Sequence, residues 1–197
     1  MPDIRVAGTD PYPWPHDGCL DARRVGLVVV GAQGWFAART VGADEVLATL
    51  ARTAKVVRDA GGAVVVVRHT TGRGAQAGDP DWELAFVPED DDVVVDAAGM
   101  SGFYGSRLDV DLRRRGIDRL AVGGLGLETT VYSTLATAND RGYECLALAD
   151  ASAAHAPAVG ERALKSITMS GGIFGAVGTT TAFCDALSMT RPLEEEP

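Results

Sequence analysis

The chain has few of the residues that hold metals and disulfides, with 3 cysteines and 3 histidines in 197 residues. Cys19, Cys145 and Cys184 are odd in number, widely spaced and without a CxxC pair, which excludes a disulfide framework and a zinc knuckle and fits a reducing compartment. Cys145 and Cys184 fall in strand and helix patterns and are expected to act as small core residues. No metal site is expected, because His69 has no second histidine or carboxylate near it at ligand spacing. Basic charge is also scarce: 18 Lys and Arg against 27 Asp and Glu leave a net charge of −9, which excludes nucleic acid as a partner. The one basic run, Arg113-Arg114-Arg115, falls at the end of a predicted helix, where cations complement the helix dipole, and reads as a solvated helix end. No run of about 18 apolar residues is present to cross a bilayer. The first thirty residues also lack the basic, apolar, small-residue order of a secretory signal, so a cytoplasmic, membrane-free protein is expected.

Apolar material is plentiful, at 46% of residues, and the chain carries 24 glycines. One domain is expected over residues 1–197, and the composition gives no second core. Short Val-rich runs at Val25–Val30, Ala63–Val67, Val93–Val95, Leu120–Val122 and Cys145–Ala149 are apolar on both faces, as strands of a covered parallel sheet must be. Between Asp44 and Ala60, Val46, Leu47, Leu50, Ala54 and Val57 share one helical face, and Gly61 and Gly62 end the pattern. Further helices are expected over Ser106–Arg115, Thr129–Arg141, Ala158–Ile167 and Thr181–Ser188, with Gly116 and Gly142 closing two of them and a sixth strand over Ile173–Val177. The alternation predicts an α/β three-layer sandwich, Rossmann-like, around a six-stranded, mostly parallel sheet. Residues 1–20, rich in proline around Tyr12 and Trp14, are expected as an extended arm packing on a neighbouring surface, and 191–197 as a flexible acidic tail.

Ligands of such sheets bind beyond the carboxyl ends of the strands. The segments there are Val28-Val29-Val30-Gly31-Ala32-Gln33-Gly34-Trp35-Phe36, Ala97 to Phe103, and Val122-Gly123-Gly124-Leu125-Gly126-Leu127-Glu128-Thr129-Thr130-Val131. In order and register these resemble the three catalytic segments of isochorismatase-like cysteine hydrolases. The likeness continues through Arg141-Gly142-Tyr143, Asp150-Ala151 and Gly171-Gly172-Ile173-Phe174-Gly175. The amino-terminal Pro-Tyr-Pro-Trp-Pro is similar to the branch that hydrolyses ureido and biuret-like amides.

The resemblance implies an Asp base, a Lys and a Cys nucleophile, and the matching positions hold Gly31, Ala97 and Thr130. A hydroxyl without an adjacent base is a weak nucleophile, so acyl transfer through Thr130 is not expected. It further implies a homodimer or tetramer. Glu128 and Thr130 are the remaining candidates for catalysis, each with a plainer reading: a carboxylate at a helix start, and a hydroxyl bonded within its own turn. Gln33, Trp35, Phe36, Phe103, Tyr104 and Tyr132 are the candidate pocket lining. Strand alternation turns Asp96 away from Ala97, Cys19 lacks a base, and Gly123, Gly124 and Gly126 do not form GxGxxG, so neither NAD nor another cofactor is expected. Three functions stay open: a diverged enzyme acting on a small organic metabolite, biosynthetic ones included, without thiol chemistry; a catalytically inactive ligand-binding or partner subunit; and a residual amide hydrolase.

Overall fold

The computed structural model describes residues 3–70 and 78–190. The expected acidic tail, 191–197, lies outside them. Six strands form one all-parallel sheet: β1 (Val25–Val30), β2 (Ala63–His69), β3 (Val93–Ala97), β4 (Arg119–Leu125), β5 (Glu144–Ala153) and β6 (Ala176–Gly178). Their order is β3-β2-β1-β4-β5-β6, so the sheet grows outward in both directions from the β1/β4 pair. Every residue of β1 and β4 is buried, because helices cover both faces there, and only unbroken apolar runs tolerate that position.

The helices are α1 (Gly34–Ala37), α2 (Ala43–Asp59), α3 (Leu108–Arg114), α4 (Tyr132–Asp140), α5 (Pro157–Met169) and α6 (Thr180–Ser188). In α2, Ala43, Val46, Leu50, Ala54 and Val57 are buried, while Leu47 is only partly so. That helix and α6 share one hydrophobic cluster with Leu27, Val29 and Phe183; α3, α4 and α5 close a second cluster on the opposite face with Val28, Val30 and Leu120.

Three expectations need correction. The sixth strand begins at Ala176 rather than Ile173, because Gly171, Gly172 and Gly175 all take positive φ and turn the chain, leaving Ile173 exposed. Helix α3 starts at Leu108 rather than Ser106. The Ser106 hydroxyl accepts from Leu108 N at 3.2 Å and donates to Gly102 O at 2.5 Å, so Ser106 serves as a turn residue before the helix. The amino-terminal segment packs on its own chain, with Trp14 fully buried in the core, 6.2 Å edge-on to Phe183. Asp17 meets the buried Arg119 of β4 at 2.5 Å. Cys145 is buried as expected, but Cys184 is only half-buried.

Candidate functional site

The strand order reverses between β1 and β4, and both strands deliver their carboxyl ends to one place. Val30 lies opposite Gly124, whose φ of +148° lets the two backbones meet: a Cβ there would stand 1.9 Å from Val30 O. Beyond β4 the chain makes one wide π turn, Leu127–Val131, before α4 begins. Such turns are inserted where a helix must re-aim a side chain. Here Thr130 is the side chain turned inward.

Gly31 and Thr130 do meet. A Cβ on Gly31 would lie 3.1 Å from Thr130 Oγ1. The hydroxyl of Thr130, however, is fully buried and donates back to its own turn, with Leu125 O at 2.5 Å and Gly126 O at 3.1 Å. With its proton directed at main-chain carbonyls and no base beside it, this oxygen is a fixed part of the turn. Ala97, 1% exposed, ends β3 directly across from His69.

Gln33 and His69 stitch the strand ends together. Gln33 Nε2 donates to Trp82 O at 3.2 Å, and its Oε1 accepts from His69 N at 2.7 Å. The His69 ring bonds Gly99 O through Nδ1 at 2.8 Å. A carbonyl only accepts, so the proton sits on Nδ1, and the buried Nε2 has no partner among the described residues. Burial pushes the His69 pKa down to about 4 against the opposing pull of the Gly99 bond, so the ring is neutral at pH 7. Gln33, His69, Ala97 and Thr130 are each at most 1% exposed.

The aromatic candidates separate. Phe36 is buried against the His69 ring at 6.0 Å and Trp35 at 4.8 Å, and Trp35 carries the Arg39 guanidinium at 4.5 Å. Phe103 lies on the opposite face of the sheet, 5.7 Å from Tyr143, while Tyr104 is 68% exposed. Tyr132 packs on Phe174 at 5.3 Å. Asp96 points outward to Arg68 at 2.6 Å, as strand alternation required.

Glu128 has a partner that the sequence did not suggest. Its Oε1 accepts from His155 at both Nδ1 and the backbone N, and its Oε2 is buried without a partner. Burial alone would raise the Glu128 pKa, but the hydrogen bonds from His155 outweigh it and hold the carboxyl below its ordinary value. The imidazole is mostly exposed while the carboxylate is largely covered. Beside the pair runs a groove of about 280 Å3 lined by Leu127, Ser152, Ala154, Pro157 and Leu164, among others. The Ser152 hydroxyl, buried and unpartnered, lines it. Among the described residues, no group of three or more His, Cys, Asp or Glu is placed to hold a metal, and no helix is long and apolar enough to cross a membrane.

Comparison with known proteins gives this arrangement a family. The chain is 40% identical over 112 residues to ureidoacrylate amidohydrolase RutB of Methylorubrum extorquens, covering 54% of this chain and 44% of that one. It is 34% identical over 117 residues to the RutB of Klebsiella pneumoniae, covering 57% and 48%. The matched stretch thus spans a little under half the length of these curated relatives. Among solved structures, a cysteine hydrolase from Pseudomonas syringae pv. phaseolicola superposes with a TM-score of 0.79 at 25% identity, over 97% of this chain and 99% of that one. N-carbamoylsarcosine amidase from Thermoplasma acidophilum gives 0.67 at 26% identity, over 80% and 96%. The model of the isochorismatase domain matches residues 25–182, from the first residue of β1 into α6 and across all three strand-end segments: the chain belongs to the isochorismatase-domain family.

Proposed function

We propose that this chain is a diverged isochorismatase-family enzyme that acts on a small organic molecule by acid/base chemistry and forms no acyl-enzyme at Thr130. In this reading His155 moves the proton and Glu128 orients the ring. The observation that carries it is the Glu128–His155 pair at the carboxyl edge of β4 and β5, with the imidazole in solvent and the carboxylate covered. A carboxylate fixed behind a histidine ring is the usual means of holding one tautomer ready for proton transfer. Support on the other side comes from the family's own site: with Gly31 and Ala97 at the base and cation positions, the Thr130 hydroxyl bonded to Leu125 O lacks the means to become a nucleophile. The groove lined by Leu127, Ser152 and Leu164 supplies a mostly apolar wall for a ligand.

The names of the relatives supply the test compounds. Wild-type protein is incubated with ureidoacrylate, N-carbamoylsarcosine and isochorismate, following both turnover and intact mass. The expected outcome is turnover of at least one compound without a covalent adduct, lowered roughly 100-fold or more in His155→Gln and unchanged in Thr130→Val. An adduct that disappears in Thr130→Val, or equal turnover in His155→Gln, overturns the reading. The second reading, a ligand-holding or partner subunit, rests on the full burial of Gln33, His69, Ala97 and Thr130. Saturable binding of one of these compounds with no turnover of any would decide for it.

A further inference from the structure

The two edges of the sheet are treated differently. At β6 the chain's own beginning closes the edge: Asp10 N donates to Val177 O at 3.0 Å, and Val177 N donates to Asp10 O at 2.8 Å. At the other end stands β3, last in the strand order, with β2 as its one strand neighbour among the described residues. The Ala97 carbonyl accepts from Thr70 N, on the β2 side, at 2.8 Å. Peptide groups alternate sides along a strand, so Val93 and Val95 also address β2, and the N–H and C=O of Val94 and Asp96 face outward. An open strand edge of this kind is a template for pairing.

Along that edge runs a groove of about 840 Å3, bounded by residues 92–96 on one side and by Ser106, Arg107, Asp111, Arg114 and Arg115 on the other. Residues from both faces of β3 line it, which places it beside the backbone edge. Val94 adds an apolar side chain that is 40% exposed.

The lining of the groove carries three carboxylates and three guanidiniums, and each carboxylate is already engaged. Asp92 is held by Arg58 at 2.6 Å, Asp96 by Arg68 at 2.6 Å, and Asp111 by Arg107 at 3.2 Å. Arg113 is drawn away to Asp109 and the Tyr143 ring. Arg114 and Arg115 are exposed, border the groove, and meet no carboxylate among the described residues. A chain of net charge −9 therefore keeps two uncommitted cations beside an open strand.

We propose that the β3 edge is a docking site for an extended acidic segment of a partner protein, which adds as a further strand beside β3 and sets its carboxylates against Arg114 and Arg115. A second copy of this chain is the other occupant that the test distinguishes.

The test is fluorescence anisotropy of the full chain with a labelled, end-blocked peptide of about seven residues alternating Glu and Val. Its Lys/Val counterpart and a Glu/Val peptide N-methylated at alternate residues serve as controls. The Glu/Val peptide is expected to bind saturably and to slow amide exchange at Val94 and Asp96. The double variant Arg114→Glu/Arg115→Glu, on the exposed end of α3, is expected to keep its circular dichroism and to weaken binding roughly tenfold or more. N-methylation is expected to weaken binding by a similar factor. No saturation by about 1 mM peptide, or undiminished binding in the double variant, overturns the proposal. Equal binding of the N-methylated peptide would reduce the site to charge alone and remove the strand. Protection of Val94 and Asp96 that rises with protein concentration in the absence of peptide would assign the edge to a second copy.

Discussion

Gly31→Ala is expected to cost stability out of proportion to one methyl group. Gly31 has a φ of +63°, and its Cβ would stand 2.2 Å from Leu125 O, a main-chain atom of β4, and 3.1 Å from Thr130 Oγ1. The left-handed backbone costs an L residue about 1–2 kcal/mol. Overfilling a close-packed site costs roughly 1–3 kcal/mol more, because the carbonyl it strikes belongs to a central strand that cannot move alone. The sum, about 2–5 kcal/mol, is a large part of the roughly 5–15 kcal/mol that holds a domain of this kind. Urea unfolding followed by tryptophan fluorescence measures it. Gly142→Ala is the control, since Gly142 has a φ of +81° with nothing within 4 Å of its Cβ, and so carries the backbone cost without the collision. Gly31→Ala is expected to lose about 1–3 kcal/mol more than the control. Equal losses would show that the strand ends yield freely and that the site is looser than its geometry states. The same reasoning applies to introducing the Asp, Lys and Cys that the resemblance implies. The triple variant Gly31→Asp, Ala97→Lys, Thr130→Cys is expected to be less stable than wild type and to gain no amide hydrolysis; a stable, active triple variant would refute it.

Other outcomes follow from single side chains. His69 is neutral in the fold with its pKa lowered to about 4, whereas the unfolded chain takes up that proton below about 6.5. Its contribution is therefore complete above pH 6.5 and fades as pH falls toward 4, by about 3 kcal/mol in all; His69→Leu is expected to flatten the pH dependence of urea stability in that window. Trp14→Ala, removing a fully buried ring, is expected to cost about 3–5 kcal/mol in the same assay, where a surface arm would cost almost nothing. Arg58→Ala strands Asp92, whose side chain is 2% exposed, and is expected to lose about 3–5 kcal/mol, against little change for Glu89→Ala at the exposed end of the same cluster. His155→Ala removes the ring bond that helps hold the Glu128 carboxyl down, so its carbon-13 titration is expected to move upward; an unmoved titration would separate the two side chains.

What the sequence made legible was whatever depends on side-chain chemistry repeated along the chain. Val25–Val30 was readable to the residue because a central parallel strand must be apolar on both faces, and α2 because one face is apolar at helical spacing. Strand β5 runs to Ala153, past the Ala149 at which its apolar run stops. Asp150 there faces α6, where it accepts from Thr180 N at 2.8 Å and Thr180 Oγ1 at 2.7 Å, a contact no local pattern encodes. Gly31, Ala97 and Thr130 could be named by register from the resemblance, but the positive φ of Gly31 and the turn of the Thr130 hydroxyl toward Leu125 O are visible only in the structure. The partnership of Glu128 with His155 spans 27 residues, and the one available signal was topological. Each residue follows the end of a strand, and β4 and β5 are neighbours, so their exits lie side by side.

The unequal edges of the sheet also bear on polymerisation. Runaway β-assembly requires every molecule to offer two free edges, one to join and one to be joined. Asp10, paired on both sides of the Val177 peptide, removes one of them. Among the described residues, addition of strands to this sheet is thus confined to the β3 side.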